Sequence, residues 1–146
     1  MNKFLPAIKI VEFAIADFVT IVANEKIAHG IPIQIAGTFT TICIEGLAAA
    51  SYETKRVSGQ DIYTSKMVMR IGEQQVMPWN LETFLANRNI VYRLTDVNNR
   101  QWLMGTNEMP FPISTAKHDN PAESSGVNIT ELEITYSNLF PFLEIE

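Results

Sequence analysis

Residues 89–106 read NIVYRLTDVNNRQWLMGT, and the fold class follows from how this stretch is parsed. Ile90, Tyr92 and Leu94 alternate with Val91, Arg93 and Thr95. Trp102 and Met104 alternate with Gln101, Leu103 and Gly105. A period of two, carried by β-branched and aromatic residues, is the signature of a strand. Between the two runs lies Asp96-Val97-Asn98-Asn99-Arg100. Asp and Asn tolerate left-handed backbone and hydrogen-bond to their own main chain, so they suit a short hairpin loop. The stretch is a β-hairpin, with Trp102 expected opposite Tyr92 or Leu94, where an aromatic pair contributes roughly 0.2–1 kcal/mol.

Working outward, Ile62–Gly72 alternates cleanly. Tyr63, Ser65, Met67, Met69 and Ile71 form a core face, and Thr64, Lys66, Val68 and Arg70 a wet one. Ala50–Val57 reads as the preceding strand and Ser58-Gly59-Gln60-Asp61 as the turn between them. Gly37–Gly46, rich in Thr and Ile, reads as a strand with apolar residues on both faces: Phe39 and Cys43 on one, Ile42 and Ile44 on the other. Such a strand is buried on both sides or meets another subunit. Residues 7–23 fit a helix face (Ile8, Val11, Ile15, Phe18, Val22) and a strand face (Val11, Phe13, Ile15). Their β-branched content favours strand, with a break near Ala16-Asp17. Trp79-Asn80 announces a short helix: Asn80 is a good N-cap, and Trp79 and Phe84 have staple spacing.

Beyond the hairpin, Met109–Ile113 carries two prolines and reads as an edge or connector. Ser114–Asn128 is the longest polar stretch and reads as an exposed mobile loop or hairpin tip. Thr130, Leu132, Ile134 and Tyr136 alternate with Glu131, Glu133 and Thr135, giving a strand with an acidic face. The apolar tail Leu139–Leu143 docks on the core or on a neighbour. The expected architecture is one mainly β domain over residues 1–146, an antiparallel β-sandwich or small β-barrel of roughly seven or eight strands with one short α-helix.

The chain is 47% hydrophobic and 18% charged, enough to bury a core and unlike a disordered chain. Its net charge is −5, and its eleven basic residues are scattered rather than aligned. Tight phosphate binding needs a concentration of Lys and Arg, so specific nucleic-acid binding is not expected. Lys9, Glu12 and Asp17 interrupt the apolar N-terminal stretch. A secretory signal or membrane span would not carry those charges, and a non-secreted product without a membrane segment is expected.

Chemistry is sparse. Cys43 stands alone, which excludes an intrachain disulfide, and His29 and His118 sit in loop-like surroundings far from it. Neither zinc spacing nor a Cys–His nucleophile is suggested. Asp96, Asn98 and Asn99 offer Ca²⁺ ligands without the glycine and distal Glu of an EF-hand loop. Glu131 and Glu133 project from one strand face about 7 Å apart. That suits a glycosidase-like carboxylate pair, although a solvated charged face is far commoner. Ser124-Ser125-Gly126 is loop composition, and no glycine-rich phosphate loop is present. No catalytic, cofactor-binding or metal-binding residue is assigned, and no cofactor is expected.

The string TDVNNRQWLMGT, together with Ser51-Tyr52-Glu53, Gly59–Tyr63, the leucine-bearing helix, the polar loop and the acidic-apolar final strand, resembles small tail-associated virion proteins of phages and prophages of Bacteroides-like bacteria. Their hairpin pattern is D-x-N-G-x-x-W-x-x-G, and the resemblance covers residues 37–137. The departure is at Asn99-Arg100, where that pattern favours Gly; this puts the turn type in question, not the strands. The resemblance implies a tail-tube-like or neck-like structural subunit that stacks as rings. It implies partnership with its own copies and other virion proteins, and residence in the bacterial cytoplasm during assembly and then in the virion. Two other readings stand beside it. One is a small-molecule or carbohydrate-binding β domain using Trp79 or Trp102 as a platform. The other is a small hydrolase using Glu131, Glu133 or Asp96.

Overall fold

Period-two segments have one apolar face each and must lay it against another sheet. The computed structural model describes residues 2–22, 34–42, 44, 46–72, 88–106, 110–119, 129–138 and 142–145. Among them run twelve strands: β1 (Asn2–Phe4), β2 (Ile8–Ile15), β3 (Thr20–Val22), β4 (Gln34–Ala36), β5 (Thr40–Ile42), β6 (Ala49–Val57), β7 (Gln60–Gly72), β8 (Ile90–Asp96), β9 (Gln101–Met104), β10 (Ile113–Asp119), β11 (Ile129–Asn138) and β12 (Leu143–Ile145). One five-stranded sheet has the order β1-β6-β7-β11-β10, the other the order β12-β9-β8-β2-β5, and β3 pairs with β4 alone. Every pairing is antiparallel.

The main core lies between the two large sheets. Met67, Met69, Leu132, Ile134 and Tyr136 from the first meet Val11, Phe13, Tyr92, Leu94 and Met104 from the second. Each fully buried side chain of this size contributes about 1.5–3 kcal/mol. The second sheet is covered on its outer side too. Ala14, Ala16, Val19, Val91, Leu103 and Leu143 form a smaller cluster there, against which Ile35, Phe39, Phe111 and Ile145 pack. This explains why β8 is buried at every position except Arg93.

The architecture is a sandwich; the sheets do not close into a barrel. They are nonetheless joined at one corner. The Leu5 amide donates to Ala50 O at 2.9 Å, and Ile8 and Ala48 exchange both backbone bonds at 2.9 Å. The segment from Asn2 to Ile15 thus leaves the first sheet and enters the second between Phe4 and Ile8, a usual way to make a sandwich corner.

The strand reading of residues 7–23 holds, with a 3-10 turn at Ala16–Phe18 supplying the break. Tyr63–Ile71 alternates as expected, with Ser65, Met67 and Met69 buried and Lys66 and Arg70 exposed. The tail docks on the core: Phe142 is buried against it and β12 pairs with β9. Three expectations need correction. Among the described residues of Gly37–Gly46 only Thr40–Ile42 is strand, and it starts late because the chain bends at Gly37 against the Phe18 carbonyl, where an added Cβ would lie 3.1 Å away. The turn after β6 is only Ser58-Gly59, and Gln60 and Asp61 already pair with Val57 and Arg56. Ser114–Asp119 is strand rather than loop, since it lies in register along β11. His118 therefore sits in a strand, not a loop. The expected helix after Asn80 falls on residues outside those described, as do Trp79, His29, Ser124-Ser125-Gly126 and the side chain of Cys43. No helix among the described residues is long and apolar enough to cross a membrane.

Candidate functional site

The hairpin turn is built around Asp96. Its side chain is fully buried, and its Oδ1 accepts from the amides of Asn98 at 2.8 Å and Arg100 at 3.0 Å. Oδ2 accepts from Trp102 Nε1 at 3.1 Å. The Asn99 amide donates to Asp96 O at 3.0 Å, and Asn99 takes φ +66°. Asn99 thus occupies the left-handed position where the resembled pattern favours glycine, and Asn is among the non-glycine residues that fill it at least cost. Burial pushes the Asp96 carboxyl up, but the Trp102 indole, the two amides and the Arg100 charge together outweigh it and hold it below the usual carboxylate range. A carboxylate held this way organises a turn. Its two oxygens are committed to protein donors, and among the described residues no group of three His, Cys, Asp or Glu gathers closely enough to hold a metal ion.

Trp102 lies opposite Leu94, as the sequence allowed, and packs against the core with its indole nitrogen used by Asp96. It is half-buried, so the exposed platform expected of a carbohydrate-binding domain is not found at this residue.

Glu131 and Glu133 lie on the outer face of the first sheet. Glu131 stands opposite Arg70, and Glu133 pairs with Lys66 at 3.4 Å. Asp96 lies on the inner face of the other sheet, so the three carboxylates proposed for hydrolysis do not converge. The outer face continues through Thr64, whose hydroxyl lies 3.3 Å from that of Ser137. A shallow depression of about 360 Å³ there is lined by Ser51, Glu53, Thr64 and Lys66. Cross-strand pairs of opposite charge are a common way to keep such a face soluble.

One cluster escaped the sequence reading. Arg93 Nε and Nη2 reach Glu12 Oε1 and Oε2 at 3.0 and 2.6 Å, a two-pronged pair on the outer side of β2 and β8. The guanidinium stacks 4.4 Å over the Phe39 ring. The residues are 81 positions apart, and only the β2–β8 register, which sets Glu12 against Arg93, brings them together. Two buried hydroxyls, Ser65 Oγ and Tyr92 OH, make no well-formed hydrogen bond among the described residues. Burial pushes the Tyr92 hydroxyl far up, with Ser114 acting in the opposite direction. Burial also raises Tyr136, against the opposing bonds from Asn138 and Thr106.

Comparison with protein-family models, with curated proteins and with solved structures returns no match.

Proposed function

We propose that the chain is a structural subunit of a phage-type or prophage-type virion, in the tail tube or head-tail region, that works by assembling with its own copies into rings and with other virion proteins. The observation that carries this reading is where the polar chemistry goes. Asp96, Glu12 and Arg93 are spent on tying strands together, while a whole five-stranded sheet turns a broad polar face outward. Contact, rather than a reacting centre, is what such a surface offers. The hairpin resemblance supplies the kind of assembly. On this reading the subunit gathers in the bacterial cytoplasm and ends in the virion. Its net charge of −5 would let nucleic acid pass without sticking.

The test is light scattering across a concentration series with negative-stain imaging of the largest species. Rings of uniform diameter are expected, and a strict monomer at the highest soluble concentration would remove the proposal.

A further inference from the structure

The outer face of the first sheet carries one row whose ends differ from its middle. Phe4 lies opposite Ser51, Ser51 opposite Lys66, Lys66 opposite Thr135, and Thr135 opposite Ile113. Directly opposed residues share a face, and Lys66 is exposed, so the whole row points outward. Its middle is polar. Its ends are apolar and open: Phe4 is 76% exposed and Ile113 68%. They sit on β1 and β10, the two edge strands of that sheet, and among the described residues neither strand has a partner on its far side. An uncovered edge carrying a large apolar side chain is a pairing hazard that folded proteins ordinarily blunt.

Four antiparallel pairings separate β1 from β10, so the two edges run in the same direction. The β1 edge of one molecule can therefore extend the β10 edge of another as a parallel pair, without inverting either molecule. A rotation about an axis along the strands, with no rise, sets Phe4 of one copy next to Ile113 of the following copy, about 5 Å apart in one continued row.

We infer that these edges are covered by a second copy of this chain, docked head to tail with β1 against β10 and with Phe4 and Ile113 as its apolar contact. A two-fold pairing of β10 with β10 leaves Phe4 bare, and one of β1 with β1 leaves Ile113 bare; the heterologous contact covers both with a single kind of interface. Area decides the stoichiometry. A buried aromatic side chain supplies about 150–250 Å², whereas a stable interface takes about 1,200–2,000 Å². One such junction does not hold a dimer. Closing a ring gives each copy two junctions and leaves no open end, so monomer and closed ring coexist with little dimer between them. The inference rests on the reading of the chain as an assembling structural subunit.

The experiment uses two single-cysteine chains, Phe4→Cys and Ile113→Cys, each in a Cys43→Ala background, mixed and mildly oxidised. Each variant carries a single cysteine, so every disulfide reports contact between copies. The mixed disulfide is expected to exceed either symmetric one by about tenfold or more, and Phe4→Ser is expected to raise the concentration for half-assembly about tenfold. Symmetric disulfides in excess would overturn the head-to-tail contact. Rings that form without the mixed disulfide would overturn the edge assignment and leave the structural-subunit reading standing. A monomer at every concentration would remove both.

Discussion

The indole N–H of Trp102 donates to Asp96 Oδ2 at 3.1 Å, so the second arm of the hairpin is tied to the residue that opens its turn. The other carboxylate oxygen holds two turn amides. Replacing Asp96 by Ala strands three donors at once. Charge-assisted bonds are worth about 1.5–3 kcal/mol each, and orphaned groups add to the loss. Asp96→Ala is expected to cost at least about 3 kcal/mol in urea unfolding, and Asp96→Asn, which keeps an acceptor at Oδ1, clearly less.

The same carboxyl makes stability depend on acid. Its pKa is lowered by folding from 3.8, so its contribution is complete above that value and fades as pH falls through the folded value. The stability difference between the native chain and Asp96→Asn is expected to be flat from neutral pH to about pH 5 and to shrink below it. Urea midpoints at stepped pH measure this. A difference that grows in acid would contradict the assignment.

Glu12 and Arg93 are 13% and 24% exposed, so their pair is partly shielded from solvent. A double-mutant cycle with Glu12→Gln and Arg93→Gln is expected to give a coupling of about 1–2 kcal/mol. Lys at position 93 keeps the charge but not the two-pronged geometry or the stacking on Phe39, and should recover under half of that.

Ser58 and Gly59 both have positive φ, 51° and 81°, the backbone of a two-residue hairpin turn that favours Asn-Gly. Ser58→Asn is expected to stabilise by about 0.5–1 kcal/mol, a rise of roughly 2–4 °C in Tm by calorimetry. Gly105 is the opposite case. At φ +100° an added Cβ would lie 2.8 Å from the Pro112 ring, and Gly105→Ala should cost about 1–3 kcal/mol.

Lys66 and Glu133 are 51% and 44% exposed, and solvent screens such a pair. Glu133→Gln is expected to change stability by less than about 1 kcal/mol. Glu131→Gln with Glu133→Gln also tests the hydrolase reading. Any hydrolysis found should be unaffected, and its loss would revive that reading.

Where alternation was long and uninterrupted, local sequence was enough. Tyr63 to Ile71 and the two arms around Asp96-Asn99 carry their faces in every second residue, and both were placed correctly. The β-branched run from Ile8 to Ile15 outweighed a helical spacing of the same residues. Thr40–Ile42 lies inside the strand read over Gly37–Gly46, whose ends three residues are too few to mark; Leu143–Ile145 is too short to show any period and was not legible. Ser114–Asp119 looks like loop because an edge strand has little apolar surface to bury; its pairing with β11 is a long-range fact. The Glu12–Arg93 pair was hidden for the same reason, since neither residue carries any sign of the register that joins them. For the candidate site, the Asp-Asn turn was readable, because those residues tolerate left-handed backbone and bond their own main chain. That Trp102 turns inward to Asp96 was not, because a hairpin pattern does not say where the indole N–H finds its acceptor.

The passage of Asn2–Ile15 from one sheet to the other has a mechanical consequence. The Ile8–Ala48 pair is a rivet through both layers, so neither layer can slide over the other without tearing it. Heat or pulling force meets one cooperative block instead of two separable plates.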